Sequence, residues 1–285
     1  ITGTKIFITC GEHDMSDNII HLVLAKTPNA PEGIKGISLF IVPKFIPNSD
    51  GSIGEKNSLE CGSIEKKMGI NASPTCVMHY NEAKGWLVGD LHKGMKAMFI
   101  MMNGARLMVG VQGLGIAEIA YQSALYYANE RLQGRSLKGS KYPDKTADPI
   151  IVHPEIRKNL LKIKTVTEGL RGLMVWTGLQ VDIAKLEKDK FKKQRAEDWV
   201  ALLTPILKSF STDLGLEAAN IALQIYGGHG YIKDHGIEQL VRDSRIAPIY
   251  EGTNGIQALD LVGRKMPMHT GRLLKSFFHE VKEYL

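Results

Sequence analysis

The chain has 285 residues, 44% of them hydrophobic and 23% charged, enough to bury a sizeable core and to form more than one domain. Its net charge of +6 is interleaved with acidic residues and forms no tail, which argues against a nucleic-acid arm and suits a phosphate-rich small ligand. Cys10, Cys61 and Cys76 are odd in number and far apart, so neither a disulfide framework nor a paired-cysteine metal site is expected, and the compartment reads as reducing and cytoplasmic. No signal peptide is evident, and no apolar run approaches the roughly eighteen residues of a membrane span.

The chain opens inside a strand pattern, ITGTKIFIT, without an initiator Met, and reads as a fragment of a longer protein. Positions 1–90 carry short alternating runs at Lys5–Thr9, Ile19–Lys26, Gly36–Val42 and Thr75–Tyr80, bounded by Pro, Gly, Asn and Asp clusters. They predict a small antiparallel β domain, with turn-rich connectors at Pro28–Lys35 and Pro47–Glu55. The acidic residues of the second connector lack the ligand spacing of a calcium loop. Glu12, His13 and Asp14 fall in the turn after the first strand and read as structural.

Positions 91–285 switch to helical periodicity, which makes the fold class α+β, an antiparallel β domain followed by an antiparallel helical bundle. Helices are predicted over Gly94–Leu132, Pro154 to about Lys188, about Arg195 to Tyr226, Gly236–Leu240 and Thr253–Lys265. Gly110, Gly113 and Gly115 suggest close helix packing; because they follow a helix pattern and not a strand, they do not mark a dinucleotide-binding βαβ unit. Ser136–His153 is longer than a compact bundle needs, and such loops are often functional or mobile.

Within IYEGTNGIQ (Ile249–Gln257), Glu251 stands between an aromatic residue and a glycine. Gly252 admits a close backbone approach, and Thr253 suits a helix cap. A carboxylate so placed is a candidate proton abstractor, although these residues alone more readily describe a capped helix. His229, in GGHG, has no second ligand at a recognisable metal spacing.

Three segments in order, GTKIFIT, GARLMVGVQGLGIAEIAYQSALYYANERLQGRS and ALQIYGGHGYIKDHGIEQLVRDSRIAPIYEGTNGIQ, resemble the acyl-CoA dehydrogenase family over essentially the whole chain. The variants EGTNGIQALDLVGRK and DPIIVHPEIRKNLL are most similar to its long bacterial branch, which includes methylthiopropanoyl-CoA dehydrogenases. The resemblance implies an N-terminal helical domain before Ile1, FAD as cofactor, and conversion of an acyl-CoA thioester to the trans-2-enoyl-CoA. It implies Glu251 as the base that removes the α proton, with its own backbone N–H and a flavin ribityl hydroxyl stabilising the enolate oxygen, and a hydride passing to flavin N5.

Further roles follow from the same resemblance. Tyr250 walls the acyl pocket beside Gly252, and Arg106 contacts the CoA portion; Asn103 stands where an Asp is frequent. Phe7 takes the place of a Trp against the flavin ring and Thr9 that of the hydroxyl bonded to N5. Simple alternation would set the two side by side on one strand face. Thr253 also belongs to the flavin site. Arg131, Gln133, Gln224, Gly227 and Gly228 match the residues that reach the flavin pyrophosphate and adenosine of a neighbouring subunit; relatives carry an aromatic and a glycine where this chain has Gln133, Gly134 and Arg135. Electron-transfer flavoprotein is the implied acceptor and a homodimer or homotetramer the implied assembly. An acyl-CoA oxidase or a catalytically silent acyl-CoA-binding scaffold are the alternatives.

Overall fold

A computed structural model describes residues 1–284. It divides into two compact units, Ile1–Asn103 and a second that begins at Gly104, so the division falls inside a helix.

The first unit holds eight strands: β1 (Gly3–Thr9), β2 (Ile20–Lys26), β3 (Ile37–Pro43), β4 (Phe45–Pro47), β5 (Ile53–Lys56), β6 (Leu59–Ile64), β7 (Thr75–Tyr80) and β8 (Trp86–Val88). They form three antiparallel sheets in the orders β1-β7-β6, β2-β3-β8 and β4-β5. Strict alternation in β7 sends Cys76, Met78 and Tyr80 inward, where they meet Val23, Val42 and Leu59 in one core. The connector predicted at Pro47–Glu55 holds the turn of the β4-β5 hairpin, closed by Asn48 N–H to Ser52 O (2.9 Å) and Gly51 N–H to Asn48 O (3.0 Å), and its last residues, from Ile53, belong to β5.

The second unit is built on long helices: α1 (Gly94–Glu130, whose first turns lie in the first unit), α2 (Pro154–Leu186) and α3 (Lys190–Tyr226), followed by α4 (Ile237–Ser244), α5 (Asn254–Asp260) and α6 (Met268–Tyr284). Pro154 starts α2 at the position where a missing N–H costs nothing. Asp189 starts α3 by accepting from the Phe191 and Lys192 N–H groups at 2.8 and 3.1 Å, one turn before the predicted start.

Ala117, Ala120, Ala124 and Ala128 repeat at helical spacing on α1 and are fully buried against Leu160 and Ile163 of α2 and Ala218, Ala222 and Ile225 of α3. A second cluster joins Leu114, Leu170, Met174, Trp199, Leu203 and Leu207. Where α1 crosses α3 the backbones themselves touch: a Cβ on Gly113 would lie 2.3 Å from Ser211 O, and one on Gly215 would lie 2.6 Å from Gly113 O. Gly115 meets nothing within 4 Å, so the predicted glycine contact belongs to Gly110 and Gly113 alone. By length and composition α1 is apolar enough to cross a membrane, with mean hydropathy reaching 1.2. Its apolar residues fill the packed face and much of the exposed one.

The Ser136–His153 loop is organised around one carboxylate. Asp148, fully buried, accepts from the backbone N–H groups of Ser136 (2.9 Å), Lys141 (3.1 Å) and Tyr142 (2.9 Å) and from Arg135 Nη1 (3.4 Å). Burial pushes its carboxyl upward, but these donors outweigh it and hold it well below the usual carboxylate range.

Candidate active site

The IYEGTNGIQ segment forms a tight turn into α5. Ile249 and Tyr250 N–H groups both reach back to Ile246 O (2.8 and 3.0 Å), and Asn254 N–H closes the turn on Pro248 O (3.0 Å). Two consecutive left-handed residues reverse the chain, Glu251 at φ 55° and Gly252 at φ 85°. Glycine adopts this conformation freely, but a glutamate there is strained by about 1–3 kcal/mol and persists only where its surroundings over-determine it.

Those surroundings are visible. Thr253 caps α5 by accepting from Ile256 N–H (3.3 Å). Gln257, fully buried, donates to Gly252 O (3.2 Å), and a Cβ on Gly252 would lie 2.6 Å from that amide nitrogen, so only glycine fits. Tyr250 donates its hydroxyl to Gln112 Oε1 on α1 (2.5 Å), and burial raises its pKa. The half-buried Glu251 carboxylate thus stands on a fixed backbone, and the Glu251 N–H takes no hydrogen-bond partner among the described residues.

Arg106 is buried beneath this turn. Its Nη1 lies 3.4 Å from Asp260 Oδ2, with both side chains more than nine-tenths covered, and its Nη2 is 3.5 Å from where a Gly252 Cβ would sit. The guanidinium faces Asp260, whose carboxylate is shared with Arg264 Nε (2.5 Å). After Asp260 the helix widens into a π segment, Leu261–Lys265, which lets α5 end with Asp260 facing Arg106.

Sequence reading missed the neighbour on α3. Lys208 is fully buried and donates to Asn254 Oδ1 (2.9 Å), while Asn254 Nδ2 donates to Asp213 Oδ1 (2.8 Å), Thr212 Oγ1 (3.1 Å) and Ser209 O (3.2 Å). The signal was present as a lone lysine in the apolar stretch WVALLTPILKSF, on the helix face shared by Thr204, Ser211, Thr212 and Gly215.

A second cluster gathers Arg131, Gln133, Gly227 and Gly228 around a 200 Å³ cavity with Tyr127, Tyr226 and His229. Arg131 is fixed through its backbone, N–H to Tyr127 O and O from Ile150 N–H, both 2.8 Å. Gly227, at φ 59°, ends α3 by donating to Gln224 O; Gln224 itself is exposed and does not line the cavity. His229, weighed in sequence as a possible ligand, is held by the Tyr127 hydroxyl (2.8 Å), and Tyr127 stacks on Tyr226 at 4.0 Å. A guanidinium, a side-chain amide and glycine backbone around one small cavity are the donor set a pyrophosphate needs, and the FAD diphosphate fits that chemistry.

In the β unit, Thr9 lines a 410 Å³ cavity with Ile8, Gly11, His21, Tyr80 and Met98. Buried His21 pins this rim between Gly11 O (3.0 Å) and the Tyr80 hydroxyl (2.7 Å); burial lowers its pKa and raises that of Tyr80 to about 12. Simple alternation through Phe7 does not hold. A bulge sets Lys5 opposite Met78 and Ile8 opposite Cys76, one residue more on β1 than on β7, because Phe7 turns left-handed (φ 57°). Phe7 is 69% exposed, an apolar ring held outward by a strained backbone.

The description "acyl-CoA dehydrogenase, C-terminal domain" matches residues 92–266, more than half of the chain. The chain belongs to the acyl-CoA dehydrogenase family. It is 49% identical over 277 residues to the 3-methylmercaptopropionyl-CoA dehydrogenase of Ruegeria pomeroyi, covering 97% of this chain and 46% of that protein. It is 37% identical over 293 residues to a butyryl-CoA dehydrogenase of Syntrophomonas wolfei, covering 100% of this chain and 48% of that protein. The solved butyryl-CoA dehydrogenase of Megasphaera elsdenii superposes with a TM-score of 0.70 at 28% identity, covering 92% of this chain and 59% of that one. The chain therefore spans about half the length of the relatives it matches.

Proposed function

We propose that this chain carries the β domain (1–90) and C-terminal helical domain (91–285) of a flavin-dependent acyl-CoA dehydrogenase. The observation that carries this reading is the strained, over-determined Glu251 turn within the matched family segment. An α C–H beside a thioester is too weak an acid for a free carboxylate. A partly desolvated glutamate becomes a competent base only when the enolate oxygen is stabilised at the same moment. The Glu251 backbone N–H supplies one such donor, so a single residue takes the α proton and offsets the developing charge.

Tyr250, tied to Gln112, walls the acyl side, and Arg106 supports Gly252 from below. Bound FAD would supply the acceptor for the β hydride at N5. Phe7, Thr9 and Thr253 would hold the flavin, whereas Arg131, Gln133, Gln224, Gly227 and Gly228 would reach the diphosphate and adenosine of a neighbouring subunit's cofactor, in a homodimer or homotetramer. Electron-transfer flavoprotein is the proposed acceptor. The test is anaerobic addition of a short acyl-CoA series, 3-methylmercaptopropionyl-CoA included, to the FAD-loaded protein. Bleaching of the flavin with stoichiometric 2-enoyl-CoA supports the reading. No bleaching with any thioester leaves only a silent scaffold, and peroxide formed at the rate of turnover in air shows an oxidase.

A further inference from the structure

We infer that Lys208 is a positioning residue for proton abstraction: its buried ammonium, latched through Asn254, holds the Glu251 turn in place. The inference rests on the reading of Glu251 as the base.

A fully buried lysine is rare unless something compensates it, and an aliphatic side chain of the same length would pack a bundle at lower cost. Here the ammonium is aimed at an amide and not at a salt-bridging carboxylate. Asn254 Oδ1 accepts from Lys208 at 2.9 Å, and Asn254 Nδ2 donates back onto α3 at Ser209, Thr212 and Asp213. That asparagine stands three residues after Glu251, and its own N–H closes the turn on Pro248 O. Asn254 therefore ties the turn to Lys208 and to α3 at once.

The charges facing the ammonium come from three elements. Burial lowers the Lys208 pKa to about 8, Asp213 on α3 opposes the fall, Arg106 on α1 adds to it, and Glu251 on the turn opposes it. The coupling to Glu251 is reciprocal: a cation that the carboxylate stabilises also stabilises the carboxylate.

The experiment is single-turnover flavin reduction by butyryl-CoA across pH in the FAD-loaded wild type and in Lys208→Met, Asn254→Ala and Glu251→Gln, with FAD affinity and thermal midpoint measured beside it. Lys208→Met should lose at least about tenfold in rate and lack the alkaline limb near pH 8 that loss of the buried ammonium gives the wild type, with FAD affinity retained. Asn254→Ala should lose rate without moving the limb, because the charge stays. A retained limb near pH 8, or a rate within threefold of wild type, in Lys208→Met overturns the inference. If that variant does not fold, a wild-type rate in Asn254→Ala overturns it instead. Loss of reduction in Glu251→Gln alone leaves the base in place and rejects only the latch; a near-normal rate there removes both.

Discussion

Alanine at Gly113 and at Gly115 should shift stability in opposite directions, although the residues lie two apart on α1. A Cβ on Gly113 would meet Ser211 O at 2.3 Å, Ser211 C at 2.6 Å and Thr212 N at 2.9 Å, all backbone atoms of α3 that no rotamer change can move. Ordinary contact begins at 3.4 Å, so α3 must recede by about 1 Å. Overpacking of this kind costs about 1–3 kcal/mol, and removing a helical glycine returns about 0.5–1 kcal/mol. Gly113→Ala should therefore lose up to about 2.5 kcal/mol, a fall in Tm of up to about 10 °C for a domain of this size. Gly115→Ala meets nothing within 4 Å and should gain about 0.5–1 kcal/mol. Thermal and urea unfolding followed by circular dichroism measure both. Thr212 also bonds Asn254, so Gly113→Ala should slow flavin reduction as well. Equal shifts in the two variants would refute the backbone-contact argument.

Asp148→Asn should loosen the Ser136–His153 loop, because an amide turns donors toward the Ser136, Lys141 and Tyr142 N–H groups; thermolysin should cut there at least about tenfold faster, and unchanged cleavage would be the contrary result. Since the folded Asp148 pKa is depressed, its contribution is fully present above the unfolded value of about 3.9 and is lost only as pH falls through the lower folded value, so loop cleavage should be flat from about pH 5 to 8. Arg131→Ala should weaken FAD binding by about 1.5–3 kcal/mol, or about tenfold to hundredfold, in equilibrium titration, and wild-type affinity would exclude Arg131 from the diphosphate site.

The long helices were legible because each carries its own punctuation. Pro154 opens α2, and Gly227 closes α3 where the apolar period ends. The start of α3 was less so, since the charged run after Asp189 has no apolar stripe and only the cap marks it. β5 and β6 escaped because they are short and half exposed, and α6 because its first residues, His269 to Gly271, are left-handed. At the candidate site, the glycine and threonine of the Glu251 turn could be read from local backbone chemistry. Lys208, Asp260 and the burial of Arg106 could not, because each depends on a partner more than forty positions away. The bulge at Phe7 was hidden for a related reason: a strand's sequence does not say where its partner skips a residue.

The most direct test of the whole account is the rate at which the FAD-loaded Glu251→Gln protein is reduced by an acyl-CoA, compared with wild type and with an α-deuterated substrate. The account predicts that wild type shows a primary isotope effect on flavin bleaching, and that the variant binds FAD and the thioester normally yet is slowed at least about a hundredfold to ten-thousandfold. A variant that bleaches at a near-normal rate, with the isotope effect intact, would show that another group takes the α proton and would contradict the assignment of Glu251.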